Sequence, residues 1–170
     1  FDQVKPKYGF NLHDQRVGYR AGDSDRGTAI ALLSPPYNHA ADVNEVRTRA
    51  IEVAGVIRTA LDPYLAGYIA RWDEEFDPRA FGDLTTQWGA STVLIEAGGI
   101  EGDVQKQRLR KLYFLGMVAA LVCDHHPRRV MHKGLQRHQT LGQSRLRRGG
   151  RTPGVASCRD CARPGVRPPA

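Results

Sequence analysis

Ser91-Thr92-Val93-Leu94-Ile95-Glu96-Ala97-Gly98-Gly99 is the stretch that decides the fold. From Thr92 to Ile95 every side chain is β-branched or aliphatic, so the run has no polar face. A half-exposed strand would alternate; this one reads as a strand covered on both sides. Ala97-Gly98-Gly99 ends it. Glu96 stands where the apolar run stops. A carboxylate there is costly unless something uses it. Two readings stand: a general base held at the mouth of a sheet, or a strand-end Glu that reaches solvent.

Working outward, Gly9-Phe10-Asn11-Leu12-His13 reads as a second short strand with polar residues at its end. Asp14 to Gly27, rich in Asp, Gly and Arg, reads as a loop. Thr28-Ala29-Ile30-Ala31-Leu32-Leu33 is another apolar run, stopped by Ser34-Pro35-Pro36. From Asn38 the period changes: Val43, Val46, Ala50, Val53, Ile57 and Leu61 recur every three or four residues, one face of an amphipathic helix. Asp62-Pro63 is expected to close it. Residues 64–83 are aromatic and acidic and read as a long loop of the kind that lines sites. After Gly99, Asp103 can cap a helix whose apolar face runs Leu109, Leu112, Tyr113, Gly116 and Ala120. Strands alternating with helices predict an α/β fold with helices packed on a sheet.

Charge divides the chain. Residues 1–124 balance to −3 and residues 125–170 to +10, which together give the net charge of +7. The basic segment is rich in Arg, Pro and Gly and has few aliphatics. It cannot bury enough apolar surface to offset chain entropy, so it is expected to be disordered. It also has the composition of GC-rich DNA read in a shifted frame. Cys158 and Cys161 form a lone C-x-x-C there, while Cys123 ends an apolar helical pattern and is expected to be buried; three cysteines do not disclose the redox compartment. No apolar run is long enough to cross a membrane, and no leader is visible. A first residue of Phe1 rather than Met suggests a fragment or a processed chain.

The segment Phe10-Asn11-Leu12-His13-Asp14-Gln15-Arg16 resembles the strand that delivers the third zinc ligand in the carboxypeptidase A-like metallopeptidases. Thr92-Val93-Leu94-Ile95-Glu96-Ala97-Gly98-Gly99 resembles the later strand that delivers their catalytic Glu. Between them, Phe76-Asp77-Pro78-Arg79-Ala80-Phe81-Gly82-Asp83 and Gln87-Trp88-Gly89 are similar to bacterial members of the family. The resemblance covers residues 1–124. It implies a mixed sheet flanked by helices, part of the carboxypeptidase-like (phosphorylase/hydrolase-like) fold. It also implies zinc-dependent hydrolysis of a peptide or peptide-like substrate at its C-terminal bond, outside the cytoplasm. His13 would be one of three zinc ligands and Glu96 the carboxylate that takes a proton from water. A carboxylate beside His13 could orient its ring. Arg79 sits where the family shapes its side-chain pocket and could attract an anionic group.

The chain departs from the family in one respect that bears on everything else. The family's other two ligands come from an upstream His-x-x-Glu, and no such string occurs here. His39-Ala40-Ala41-Asp42 lies downstream at a helix start and does not take that role. Tyr64 and Tyr68 lie near the position of the family's mobile Tyr without matching it. The remaining ligands and the groups that grip the substrate carboxylate are expected before Phe1, and the chain alone is expected to bind zinc poorly. Two other classes remain open. One is an inactive relative that serves as a binding module. The other is nucleic-acid binding through the basic segment 125–170, which its lack of interleaved aromatics disfavours.

Overall fold

The computed structural model describes residues 1–22, 24–125 and 146–148. They form an α/β structure whose centre is a mixed four-stranded sheet. Strands β1 (Tyr8–Asp14), β2 (Tyr19–Ala21) and β3 (Ile30–Leu33) are followed by helix α1 (Glu45–Leu65), strand β4 (Ile69–Arg71), helix α2 (Phe81–Gln87), strand β5 (Ser91–Ala97), helix α3 (Gln107–His125) and strand β6 (Leu146–Arg148). The sheet order is β1-β5-β3-β4, with β2 and β6 as a separate antiparallel pair. β1 runs parallel to β5, β3 antiparallel to β5, and β4 parallel to β3.

β5 is central and buried from Ser91 to Glu96. Alternation sends Val93 and Ile95 to one face. There they join Ile30, Leu32 and Ile69 against Ala50, Ala54, Ile57 and Leu61 of α1 and Leu109, Leu112 and Ala120 of α3. Burial of such aliphatics contributes about 1.5–3 kcal/mol each. The two helices meet where Gly116 of α3 leaves room; a Cβ there would stand 3.0 Å from Ile57 Cγ2 and 3.3 Å from Leu61 Cδ1. The opposite face carries Thr92, Leu94 and Glu96 and is covered in part by α2. The Thr85 and Thr92 hydroxyls are 2.9 Å apart. Gly82 lies so close to Pro35 and Asn11 that a Cβ would come within 3.1 and 3.2 Å of them.

Several boundaries differ from the sequence expectation. α1 begins at Glu45, not near Asn38: Asn44 caps it by accepting the Arg47 backbone N–H at 2.9 Å, which leaves Val43 outside and exposed. Nor does Pro63 end α1. It lies inside the last turn, where it withdraws the N–H that would bond Thr59 O, and the helix nonetheless continues so that Leu65 is buried. The loop expected at 64–83 contains β4 and the start of α2, and the loop expected at 14–27 contains β2. These strands have three residues each, too few to show a period. α3 starts later than Asp103, yet Asp103 still serves it: its Oδ2 accepts the Leu109 N–H at 2.8 Å. These backbone bonds hold the Asp103 carboxyl below the usual range. Cys123 is buried, as expected. Most of the segment expected to be disordered lies outside the described residues. Within it, His125 belongs to α3 and Leu146–Arg148 pairs with Tyr19–Ala21, so those positions are corrected to regular structure.

Two surfaces of the described residues are open. β1 forms one edge of the sheet. α3 turns Phe114, Leu121 and Val122 outward at 64%, 57% and 58% exposure. Among the described residues, no helix is long and apolar enough to cross a membrane.

A buried cation ties the far end of the sheet together. Arg47, only 3% exposed, donates from Nε to Ser34 O at 3.3 Å, from Nη1 to the Ala41 and Asp42 carbonyls, and from Nη2 to Glu74 Oε2 at 2.8 Å. Glu74 Oε1 accepts from Arg71 Nη2 at 2.6 Å. Replacing Arg47 with Met strands three carbonyls and half of Glu74. We expect a loss of about 3 kcal/mol, read as a lower urea midpoint with an unchanged slope. A change within experimental error would show that the network is satisfied by solvent.

Candidate active site

The parallel register of β1 and β5 places His13 opposite Glu96. Residues in register on neighbouring strands share a face, so both side chains project from the α2 side, two positions beyond Asn11 and Leu94. Both strands end here. The carboxyl ends of parallel strands are where open α/β sheets bind their ligands.

Glu96 is 5% exposed, which corrects the reading in which it reaches solvent. The turn after it is tightly built. Gly98 and Gly99 donate to Ala29 O and Thr28 O at 2.8 and 3.2 Å, and a Cβ on Gly98 would meet Thr28 O at 2.0 Å. These bonds extend the β3–β5 ladder past Glu96 and fix the backbone from which its carboxylate projects. His13 closes the other side, with Nδ1 3.3 Å from Glu96 Oε1. Its Nε2 is 3.1 Å from Asn11 Oδ1. If Nε2 carries the ring hydrogen it donates to the Asn11 oxygen, and Nδ1 then turns its lone pair toward the Glu96 carboxyl. Burial pushes the Glu96 carboxyl above its ordinary value, the His13 charge opposes that shift, and the Asp14 charge adds to it.

Asp14 does not orient His13, because strand alternation sends it to the other face. It pairs there with Lys106 at the approach to α3. The ring is oriented by Glu96 and Asn11 instead. Asn11 was within reach of sequence reasoning, since residues two apart on a strand share a face. Tyr113, on the helix side, donates its hydroxyl to Ile95 O at 2.5 Å and pins α3 beside the site. Burial raises its phenol well above the usual range.

Arg79 is not brought to the pair. Its side chain is 89% exposed, with Nε 3.3 Å from Asp77 Oδ1. Asp83, its neighbour in the sequence motif, is buried and accepts the Asp77 N–H at 3.3 Å. Burial raises its carboxyl. Tyr68 stacks under the Arg26 guanidinium, Tyr64 is exposed, and His39 packs edge-on against Phe76. Two cavities flank the strand ends. One, of about 420 Å³, lies between Leu12, His13, Tyr113 and Met117. The other, of about 640 Å³, lies among Val17, Arg26, Tyr68, Gly99, Ile100 and Lys106.

As a metal site the described donors do not suffice. Nε2 of His13 faces an oxygen acceptor, and the lone pair that Nδ1 could offer faces Glu96. Among the described residues, no group of three His, Cys, Asp or Glu side chains could hold an ion. What remains is a desolvated carboxylate in contact with an imidazole, residue types that serve in general acid–base work. No protein-family model, curated protein or solved structure matches the chain.

The raised Glu96 carboxyl has a consequence for stability. The unfolded chain ionises Glu96 near its ordinary value of 4.5, while the fold resists ionisation. Stability from the protonated form is fully present below that value and is lost as pH rises through the higher folded value. Glu96→Gln should therefore be more stable than the native chain at pH 7, with the difference closing by about pH 4. Urea unfolding at the two pH values measures this. Equal offsets at both would remove desolvation as the cause.

Proposed function

We propose that residues 1–124 form the C-terminal part of a zinc metallocarboxypeptidase-type catalytic domain, in which Glu96 moves the proton and His13 is a metal ligand. The supporting observation is the register that sets His13 against Glu96 at the ends of adjacent parallel strands. Two residues singled out 83 positions apart in sequence for one reaction lie within 3.3 Å of each other. The α/β architecture with a mixed sheet agrees with the carboxypeptidase-like fold at the level of class.

In this reading Glu96 accepts a proton from the attacking water and delivers it to the departing amine. Its raised carboxyl suits both halves of that transfer, because an acid far below neutrality would return the proton poorly. His13 holds the carboxylate in place, and its imidazole is the group of this chain that would serve a metal as ligand. When bound, zinc would acidify the water and polarise the scissile carbonyl. The ligands that complete its site would lie outside these residues, and of the two cavities only that of about 420 Å³ touches the pair, through His13. Arg79 is free to meet an anionic substrate group only after leaving Asp77.

Two measurements test this. In the intact protein that carries this segment, Glu96→Gln should lower kcat for release of a C-terminal residue by about 10²–10⁴-fold while KM stays near its native value. Unchanged turnover would end the assignment of Glu96. Zinc titrated into the present chain alone should bind weakly and without one-to-one saturation. A tight single site that disappears in His13→Ala would mean that this chain already holds a full ligand set.

A further inference from the structure

Helix α3 is apolar on two opposite sides. Its inner side, Leu109, Leu112, Gly116 and Ala120, packs into the core and against α1. Its outer side carries Phe114, Leu115, Val118, Leu121 and Val122, all of them exposed. These five recur as i, i+1, i+4, i+7 and i+8, the spacing of a seam between two helices. At about 100° per residue, Val118 stands at the centre of the stripe, roughly half a turn from Gly116 and Ala120. Single surface aliphatics need no explanation, but a continuous apolar stripe marks a surface that is covered in use.

Symmetry and charge both point to what covers it. Leu115 and Leu121 lie three positions to either side of Val118, and Phe114 and Val122 lie four. A second α3, antiparallel and related by a two-fold axis at Val118, sets that residue on its own copy, Leu115 on Leu121 and Phe114 on Val122. The start of α3 carries Arg108, Arg110 and Lys111, all exposed, with no acid in the first turn. Cations at that end oppose the helix's own macrodipole, whose positive pole lies there. The same axis sets position 111 against position 125, the last residue of α3. The cations then lie beside the second copy's helix C-terminus, the negative pole with its unbonded carbonyls. A charge arrangement that is unfavourable in one copy becomes complementary in two.

We propose that α3 is the contact surface of a homodimer, in which two copies of this chain pack their outer stripes antiparallel about Val118. Arg110 and Phe114 also line the cavity of about 420 Å³ beside His13. The second copy's helix end therefore stands at the rim of that cavity. The contact rests on α3 alone and holds whether or not the chain is a peptidase.

Sedimentation equilibrium of the full chain tests the pairing. With concentration raised to about 100 μM, the mass should approach that of two chains and go no higher. Phe114→Glu and Val122→Lys, each at an exposed position, should raise the dissociation constant at least about tenfold with the circular dichroism spectrum unchanged. Combining them should return the constant toward its native value, because the two-fold sets position 114 of one copy against position 122 of the other. Within one chain those positions are about 12 Å apart along the helix and do not meet. A chain that stays monomeric throughout, or that grows beyond a dimer, overturns the proposal. So does a double variant that associates more weakly than either single one, since the helices would then meet in another register. A sharp fall of the urea midpoint in Phe114→Glu at concentrations where the native chain is monomeric also overturns it, because the stripe would then be covered from within the chain. None of these readouts depends on hydrolysis, so their failure leaves the Glu96 assignment to its own test.

Discussion

A carboxylate held out of water at the end of a fully covered strand must be compensated, and Glu96 is compensated from one side by a single imidazole. That contact organises this end of the structure. β5 can be buried on both faces only because α1 and α3 cover one face while α2 and the β3 turn help cover the other. The same cover removes water from Glu96. The sheet's stability and the unusual state of its carboxylate therefore have one origin.

The pairing also depends on register. Strand side chains alternate, so a shift of one residue between β1 and β5 would send His13 to the α3 side and bring Asp14 against Glu96. Two carboxylates would then face each other without a cation, and Leu12 would leave the helix side. The apolar pattern of β1 and the electrostatics of its last residues thus select the same alignment. The Asp14–Lys106 contact reinforces it from the opposite face.

The strands and helices with long runs were legible in the sequence. β5 announced itself by an unbroken aliphatic run, and α1 and α3 by their periods. The short strands were not, because three residues carry no period, and their place is set by neighbours distant in sequence. The same holds within the site. Glu96 and His13 could be named one at a time, but their contact is a product of strand pairing. Asp14 looked like the partner of His13 because it is adjacent in the chain, and alternation places it on the wrong face. Pro63 misled for a related reason: the burial of Leu65 in the core carries the helix past it.

The open edge of β1 and the outward apolar side chains of α3 have a further consequence for how this chain behaves in solution. An unpaired strand edge next to exposed aromatic and aliphatic groups invites the same surface of another copy. Charge acts on such an approach in two opposed ways: the net +7 repels whole copies, while the −3 of residues 1–124 attracts the +10 of residues 125–170 on another copy. Salt screens both and leaves the apolar attraction intact. The way association responds to ionic strength therefore reports which of the three forces governs contact between copies.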